Sequence, residues 1–236
     1  MQSNPHLLKF LTVVTGLSLL TSQPAAADLD TAVYNAPPPP DGIGAPTGRR
    51  DGGASRGNCP DYGDLTALVP ITDGTVWGQT TSAQPTLWFY LPAAITAEQP
   101  MELALQNAAD EMLYMTTVAA DVDAGVIEIA LPPTVTLPVG EPHYWTLALY
   151  CDPAQPTASV FVRGTIERAA EPLLAETAPT LSLAADYASA GIWYDALTVL
   201  GQLPAAERQA LWTTLLEEAG LEAAAAAPIH PCCETP

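Results

Sequence analysis

Apolar and polar residues alternate along the middle of the chain, from Leu65 to Arg168, and this alternation is typical of half-buried strands. Within residues 101–106, for example, Met, Leu and Leu alternate with Glu, Ala and Gln. The pattern predicts seven strands, at residues 65–71, 86–92, 100–107, 111–118, 125–132, 143–151 and 158–168. Because each strand has a single apolar face, two sheets must cover each other, and we expect a seven-stranded antiparallel sandwich of the immunoglobulin type.

After Arg168 the apolar residues recur at helical spacing. Leu183 and Tyr187 lie about one helical turn apart. Pro204 is suited to the first turn of a helix, and Gly220 to the position just after one. The pattern predicts short helices near residues 180–190, 193–203, 204–219 and 221–227. The expected fold class is therefore α+β, with a sandwich followed by a C-terminal helical hairpin.

Residues 1–27 have the features of an export signal. Lys9 precedes an apolar run from Phe10 to Leu20, and Ala25–Ala27 supply the small residues that a signal peptidase accepts. The run is shorter than the roughly 20 apolar residues that span a bilayer. We therefore expect cleavage after Ala27 and no integral membrane segment after that cleavage.

Residues 28–62 are rich in Pro and Gly and poor in large apolar residues. Pro37–Pro40 form an uninterrupted proline run, and Arg49, Arg50 and Arg56 follow it. This composition predicts a disordered spacer. The alternative is a docking segment, which would bind a partner through the extended proline run or the acidic body through its arginines. The predicted organisation is signal peptide 1–27, spacer 28–62, β-sandwich 63–170 and helical tail 171–236.

The chain is strongly acidic, because 26 Asp and Glu residues oppose seven Lys and Arg residues and give a formal charge of −19. Such a surface repels nucleic-acid backbones and anionic lipid headgroups, so neither is an expected partner. Together with the export signal, the acidity favours a soluble protein of the periplasm or the extracellular space.

The four cysteines, Cys59, Cys151, Cys232 and Cys233, are expected to form disulfides because the export route is oxidising. If the strands alternate up and down, the start of the first strand and the end of the sixth lie at the same end of the sandwich. This favours a Cys59–Cys151 bond and leaves Cys232 and Cys233 to pair with each other or with a partner. The alternative links Cys59 and Cys151 to the two tail cysteines.

A metal site is one further interpretation of the C-terminal tail. His230, Cys232 and Cys233 are of the residue types that copper or zinc prefers. Disulfide formation competes with this interpretation in an oxidising compartment. The sequence therefore predicts no metal site, and these three residues remain weak candidates.

Aromatic side chains in the strand region could stack on sugar rings if they are exposed. The candidates are Trp88, Tyr90 and Tyr144, of which Trp88 and Tyr90 share one face of a strand. Aromatic residues in strands more often belong to the core or to cross-strand pairs. No nucleophile–base pair and no paired-acid motif is evident, so we expect no catalytic residue and no cofactor.

Part of the helical tail resembles the middle of a single tetratricopeptide repeat. The residues that carry this resemblance are Tyr187, Gly191, Trp193, Ala196, Leu197 and Leu200. No second copy follows, and a stable array needs roughly three repeats. A helical hairpin packed on the sandwich is therefore favoured over a peptide-binding array.

The chain as a whole resembles the cyanobacterial exported proteins grouped as domain of unknown function 928. The matching segments are Ala36–Pro40, Gly48–Arg50, Arg56–Pro60, Leu65–Pro70, Pro85–Tyr90, Tyr144-Trp145, Cys151–Pro153, Gly191–Leu197 and Cys232-Cys233. The resemblance implies an exported, non-cytoplasmic protein. It implies no activity and no catalytic residue.

These observations favour a non-enzymatic interaction module or cell-envelope accessory protein whose partner is a protein or another envelope component. One alternative is a carbohydrate-binding module that uses exposed aromatic residues. A second is an enzyme or a metal-binding protein. Exposed aromatic residues in one row would favour the first alternative, and burial beneath the helices would favour the interaction module.

Cleavage of the signal peptide is directly testable. We expect the exported protein to begin at Asp28, because Ala25–Ala27 follow the apolar run at the spacing of a cleavage site. N-terminal sequencing of the exported protein checks this. A product that keeps residues 1–27 and stays with the membrane would contradict it.

Overall fold

The computed structural model describes residues 33–40, 50–52, 59–152, 154–155, 157–170 and 178–233. Within these residues the chain forms nine strands followed by four α-helices. The strands are β1 (Thr66–Ala67), β2 (Ile71–Thr72), β3 (Thr75–Thr80), β4 (Thr86–Leu91), β5 (Met101–Asn107), β6 (Met112–Val118), β7 (Gly125–Ala130), β8 (Pro142–Tyr150) and β9 (Ser159–Arg168). The helices are α1 (Leu181–Ser189), α2 (Trp193–Gln202), α3 (Ala205–Glu218) and α4 (Glu222–Ala225).

The strands form two sheets, one in the order β1-β4-β7 and one in the order β2-β3-β9-β8-β5-β6. Neighbouring strands are antiparallel except β3 and β9, which run parallel. The apolar residues of β4 and β8 face each other across the core, where the rings of Phe89 and Trp145 meet edge to face at 5.7 Å. The α+β class and the mostly antiparallel sheets agree with the alternation in the sequence.

The predicted strand at residues 65–71 is observed only in part, as the short β1, and its last residue is the first of β2. Strands β2 and β3 were not expected as a pair from the sequence, which predicted seven strands. They form a hairpin around Asp73 and Gly74, whose φ angles are 50° and 77°. This Asp-Gly pair is a known hairpin signal. Strand β3 is buried on both faces, so its residues do not alternate between apolar and polar. The other six predicted strands each match one observed strand to within two residues.

Helix α2 bridges the two sheets, since it packs on β3 of one and on β4 of the other. The indole N–H of Trp193 donates to the carbonyl of Leu68 at 2.7 Å. The hydroxyl of Tyr194 accepts a hydrogen bond from the indole N–H of Trp145 at 3.0 Å. The helices and the sandwich therefore share one continuous core.

Some of the segment predicted to be a disordered spacer makes defined contacts. Residues 33–40 lie against the turn between α1 and α2, and Gly52 donates to Leu65 at 2.6 Å. Arg50 donates to the carbonyls of Ala219 and Gly220 at 2.6 and 3.1 Å, beyond the end of α3 where backbone acceptors lack helical partners. Residues 28–32, 41–49 and 53–58 lie outside the described residues, as does the predicted signal peptide. Disorder of the spacer as a whole therefore remains a prediction.

The predicted Cys59–Cys151 disulfide is confirmed, with 5.7 Å between the two Cα atoms. The strands do not simply alternate up and down, so the argument behind the prediction holds only in part. The connection between β4 and β5 brings the two ends together: Tyr62 donates to Ala94 at 2.9 Å, and Tyr150 donates to Pro100 at 3.0 Å. None of the described helices is long and apolar enough to cross a bilayer.

Removal of this disulfide should destabilise the protein strongly. The bond joins residues 92 positions apart, and closing a loop of that length contributes about 4.6 kcal/mol in the chain-entropy model. We expect the Cys59→Ala/Cys151→Ala variant to lose about that free energy of unfolding in urea titrations. The control, Cys232→Ala/Cys233→Ala, removes a bond between adjacent residues and should lose much less. Equal losses in the two variants would contradict the prediction.

Candidate functional site

The C-terminal tail extends the three-stranded sheet at the free edge of β7. The amide of Val126 donates to Pro228, and the amide of His230 donates to Val126, both at 2.8 Å. This pairing places Ile229 beside Val126 in a parallel bridge. Beyond it, Cys232 and Cys233 continue along the sheet, and the structure pairs them with each other in a disulfide.

A cleft of about 500 Å³ lies between this tail, the sheet and helix α2, and we call it the tail cleft. Its walls combine hydroxyl, amide and carboxylate groups with prolines and the disulfide. The residues that line it include Thr86, Glu128, Pro132, Pro133, Thr198, Gln202, Cys232 and Cys233. The cleft is wide and open to solvent, unlike the enclosed pockets that bury most of a small ligand.

Glu128 is the chemically distinctive residue of the tail cleft. It lies on the face of β7 that points away from the sandwich core, opposite Trp88 of β4. Burial raises the pKa of the Glu128 carboxyl group. Its carboxylate has no hydrogen-bond or ion-pair partner among the described residues. The group can therefore accept hydrogen bonds from a ligand.

A second, smaller cleft of about 190 Å³ adjoins the first and contains Asp195. The carboxylate of Asp195 accepts hydrogen bonds from the amide and the hydroxyl of Thr81 at 3.1 and 2.7 Å. Burial raises its pKa, and hydrogen bonds from Thr80 and Thr81 partly oppose this. Asp195 thus ties helix α2 to the segment after β3 and is not a free acid.

The three predicted stacking residues do not form one surface. Trp88 is buried, with its ring edge to face on Trp212 at 5.7 Å and directly against Gly201, so a ligand has no access to it. Tyr90 is half-buried on the same face of the three-stranded sheet. Tyr144 is half-buried on the outer face of the other sheet. These three residues therefore do not form the exposed row that would have favoured carbohydrate binding, and the burial of Trp88 agrees with the core placement that is usual for aromatic residues in strands.

The three weak metal candidates, His230, Cys232 and Cys233, each have another partner in the structure. The ring of His230 lies 3.1 Å from the carbonyl of Ala124. Cys232 and Cys233 are bonded to each other, so neither offers the thiolate that a metal requires. No cluster of three or more His, Cys, Asp and Glu residues with metal-site geometry occurs within the described part of the chain.

Sequence reasoning missed the tail cleft because its walls come from four separate segments. Glu128 gave a weak signal, since it is the single charged residue of β7 and alternates with Ile127 and Ile129. Alternation explains such a residue as solvent-facing. Only the packing of α2 and the tail over this sheet turns it into a cleft residue. Glu128 is the one acidic residue in the lining of the cleft.

The burial of Glu128 predicts a pH-dependent effect on stability. Because its pKa is raised in the folded state, the stability of the protein falls as pH rises from the unfolded pKa through the folded pKa. We expect Glu128→Gln to be more stable than the wild type at about pH 7 and equally stable at about pH 3. Urea unfolding at both pH values measures this. The exposed Glu141→Gln serves as the control, and a difference independent of pH would contradict the assignment.

Two comparisons with known proteins bear on identity. A search of curated proteins found no match. The family described as Domain of Unknown Function (DUF928) matches residues 51–229, which include both sheets and all four helices. This match covers most of the chain, so the protein belongs to the DUF928 family.

Proposed function

We propose that the protein is an exported, non-enzymatic interaction module of the cell envelope that binds a protein partner by strand addition at β6. The observation that carries this proposal is the unpaired edge of β6. It ends the order of the six-stranded sheet, and no described residue pairs with its outer side. An edge strand presents free N–H and C=O groups that can pair with a strand from another chain.

Strand β6 lacks two of the features that commonly protect an edge, namely charged residues and prolines. Its sequence, MLYMTTV, contains no charged residue and no proline. Met112, Leu113 and Met115 are all exposed, and Met115 has 58% of its surface accessible. A register shift opposite Leu105 and Gln106 disturbs the start of β6, but residues 114–118 remain regular. A regular apolar edge of this kind is suited to an extended partner.

The charges around β6 favour a basic partner over a second copy of the chain. Exposed Asp110 and Glu111 precede the strand, and exposed Asp121 and Asp123 follow it. Antiparallel pairing of two β6 strands would bring these acidic ends together and cost free energy. An apolar segment with Lys or Arg at its ends would be attracted instead.

Export and an oxidising location belong to the same proposal. The Cys59–Cys151 disulfide is compatible with an oxidising environment, since such bonds are rare where thiols are kept reduced. The carbohydrate-binding alternative has less support, because Trp88 is inaccessible and Tyr90 and Tyr144 lie on different sheets.

We also propose that the sandwich is of the immunoglobulin type. Three strands, β1, β4 and β7, occupy positions that correspond to A, B and E of such domains. On the other sheet, β5, β8 and β9 are adjacent in the order expected for C, F and G. The strand orders therefore support this topology, with additional strands at the edges of the larger sheet.

A defined peptide tests strand addition at β6. The probe is a peptide with a run of Val, Thr and Ile residues and Lys at both ends, compared with the same peptide ended by Glu. We expect only the Lys-ended peptide to bind, with NMR shift changes concentrated at the amides of residues 112–118. Met115→Lys should weaken this binding about tenfold, because it places a like charge on the edge.

The matched control is Val139→Lys, which adds the same charge at a residue of similar exposure, 54%, outside the strands. It should bind the peptide almost as the wild type does. Equal weakening by both variants would show that the peptide is held only by general charge attraction and would contradict strand addition at β6. Shift changes located away from β6, or no binding of either peptide, would refute strand addition at this edge.

A further inference from the structure

Residues 33–40, which we call the N-terminal arm, lie along a site built from the helices and the segment after β1. Asn35 anchors the arm through two hydrogen bonds. Its backbone N–H donates to Ala188 at 3.2 Å, and its side-chain amide donates to Ser189 at 2.8 Å. Both acceptors are carbonyls at the end of α1. An asparagine in an extended segment is thus recognised at backbone and side chain together.

Tyr34, the residue before Asn35, packs its ring against an aromatic side chain of helix α2. The ring of Tyr34 meets the ring of Trp193 edge to face at 4.8 Å. Burial raises the pKa of Tyr34. Its hydroxyl is buried and has no hydrogen-bond partner among the described residues. An unsatisfied buried hydroxyl lowers the stability of this contact, so the arm is held less tightly than its buried ring suggests.

The turn between α1 and α2 leaves room for the arm to pack closely against its backbone. Gly191 has a φ of +81°, which favours glycine. A Cβ atom on this residue would lie 2.8 Å from the carbonyl oxygen of Asn35 and 2.9 Å from Cδ of Pro37. The site therefore accommodates an extended segment of the form Tyr-Asn-x-Pro, in which x is the residue between the asparagine and the proline.

In this chain x is Ala36, and a cavity of about 210 Å³ remains beside it. The cavity wall is apolar at Pro70, Ile71 and Leu215, and the carboxylate-bearing residue Glu218 also lines it. Glu218 is exposed and forms no ion pair within the described residues. A long aliphatic side chain with a positive end would fill this space and reach the carboxylate.

We propose that the arm site is a binding site for an extended segment of a partner protein with the form Tyr-Asn-basic-Pro. The N-terminal arm occupies the site until such a segment displaces it. The partner's Lys or Arg would pack its stem on Leu215 and pair its charge with Glu218. The strong negative charge of the chain favours a basic segment further. This site is separate from the β6 edge, so each can be tested without the other.

The experiment uses the full chain with Tyr34→Ala, which removes the aromatic contact of the arm and frees the site. The probes are synthetic peptides with the sequence of residues 33–40, carrying Ala, Lys or Glu in place of Ala36. We expect the Lys peptide to bind about tenfold tighter than the Ala peptide, through buried methylene groups and one ion pair. The Glu peptide should bind more weakly than both. Titration calorimetry measures all three.

Receptor variants locate the charge contact. Glu218→Gln should abolish the advantage of the Lys peptide, whereas Glu217→Gln, at an exposed neighbour outside the cavity lining, should preserve it. Loss of the advantage in both variants would overturn the contact with Glu218.

Peptide variants locate the recognised residues without altering the folded chain. Substituting alanine for Tyr34 or Asn35 in the Lys peptide should remove binding, and the same change at the exposed Val33 should not. Failure of every peptide to bind the Tyr34→Ala chain would overturn the proposal. The arm would then have only a structural role.

Discussion

Helix α2 closes the open side of the sandwich, and the arrangement of the other elements depends on this contact. Its first two residues, Trp193 and Tyr194, are fully buried and make hydrogen bonds to Leu68 and Trp145. On the other sheet, Trp88 packs into the space that Gly201 leaves open. Large aromatic side chains bury roughly 150–250 Å² each, so this interface contributes much of the apolar burial that stabilises the fold. The sandwich and the helices are therefore one folding unit in the described part of the chain.

Segments near both ends of the chain are tied to the edges of this unit. The arm covers the turn before α2, Arg50 covers the carbonyls after α3, and the tail covers the free edge of β7. Each contact satisfies backbone groups that would otherwise lack partners. The edge of β6 receives no such cover from the described residues, and for this reason we propose it as a binding surface.

The two binding surfaces that we propose share a preference for basic partners. Acidic residues flank the β6 edge, and Glu218 lines the cavity beside the arm. A chain with a formal charge of −19 attracts basic segments from a distance and repels further copies of itself. The tail cleft differs, because its carboxylate at Glu128 is half-buried and faces uncharged neighbours. The lining of the tail cleft therefore lacks the several exposed acidic residues that flank the β6 edge.

The sequence by itself determined most element types, because apolar periodicity is a local property, and it favoured the Cys59–Cys151 disulfide. The two cysteines meet through the tertiary contacts of the connection between β4 and β5. The sequence missed β3, since a strand buried on both faces does not alternate. Tertiary structure alone decided the burial of Trp88, because the same strand face can meet helices or solvent. It also decided the tail cleft and the docking of Tyr34 on Trp193, since both unite segments that are distant in sequence. Composition and periodicity describe neighbours along the chain, and these sites depend on neighbours in space.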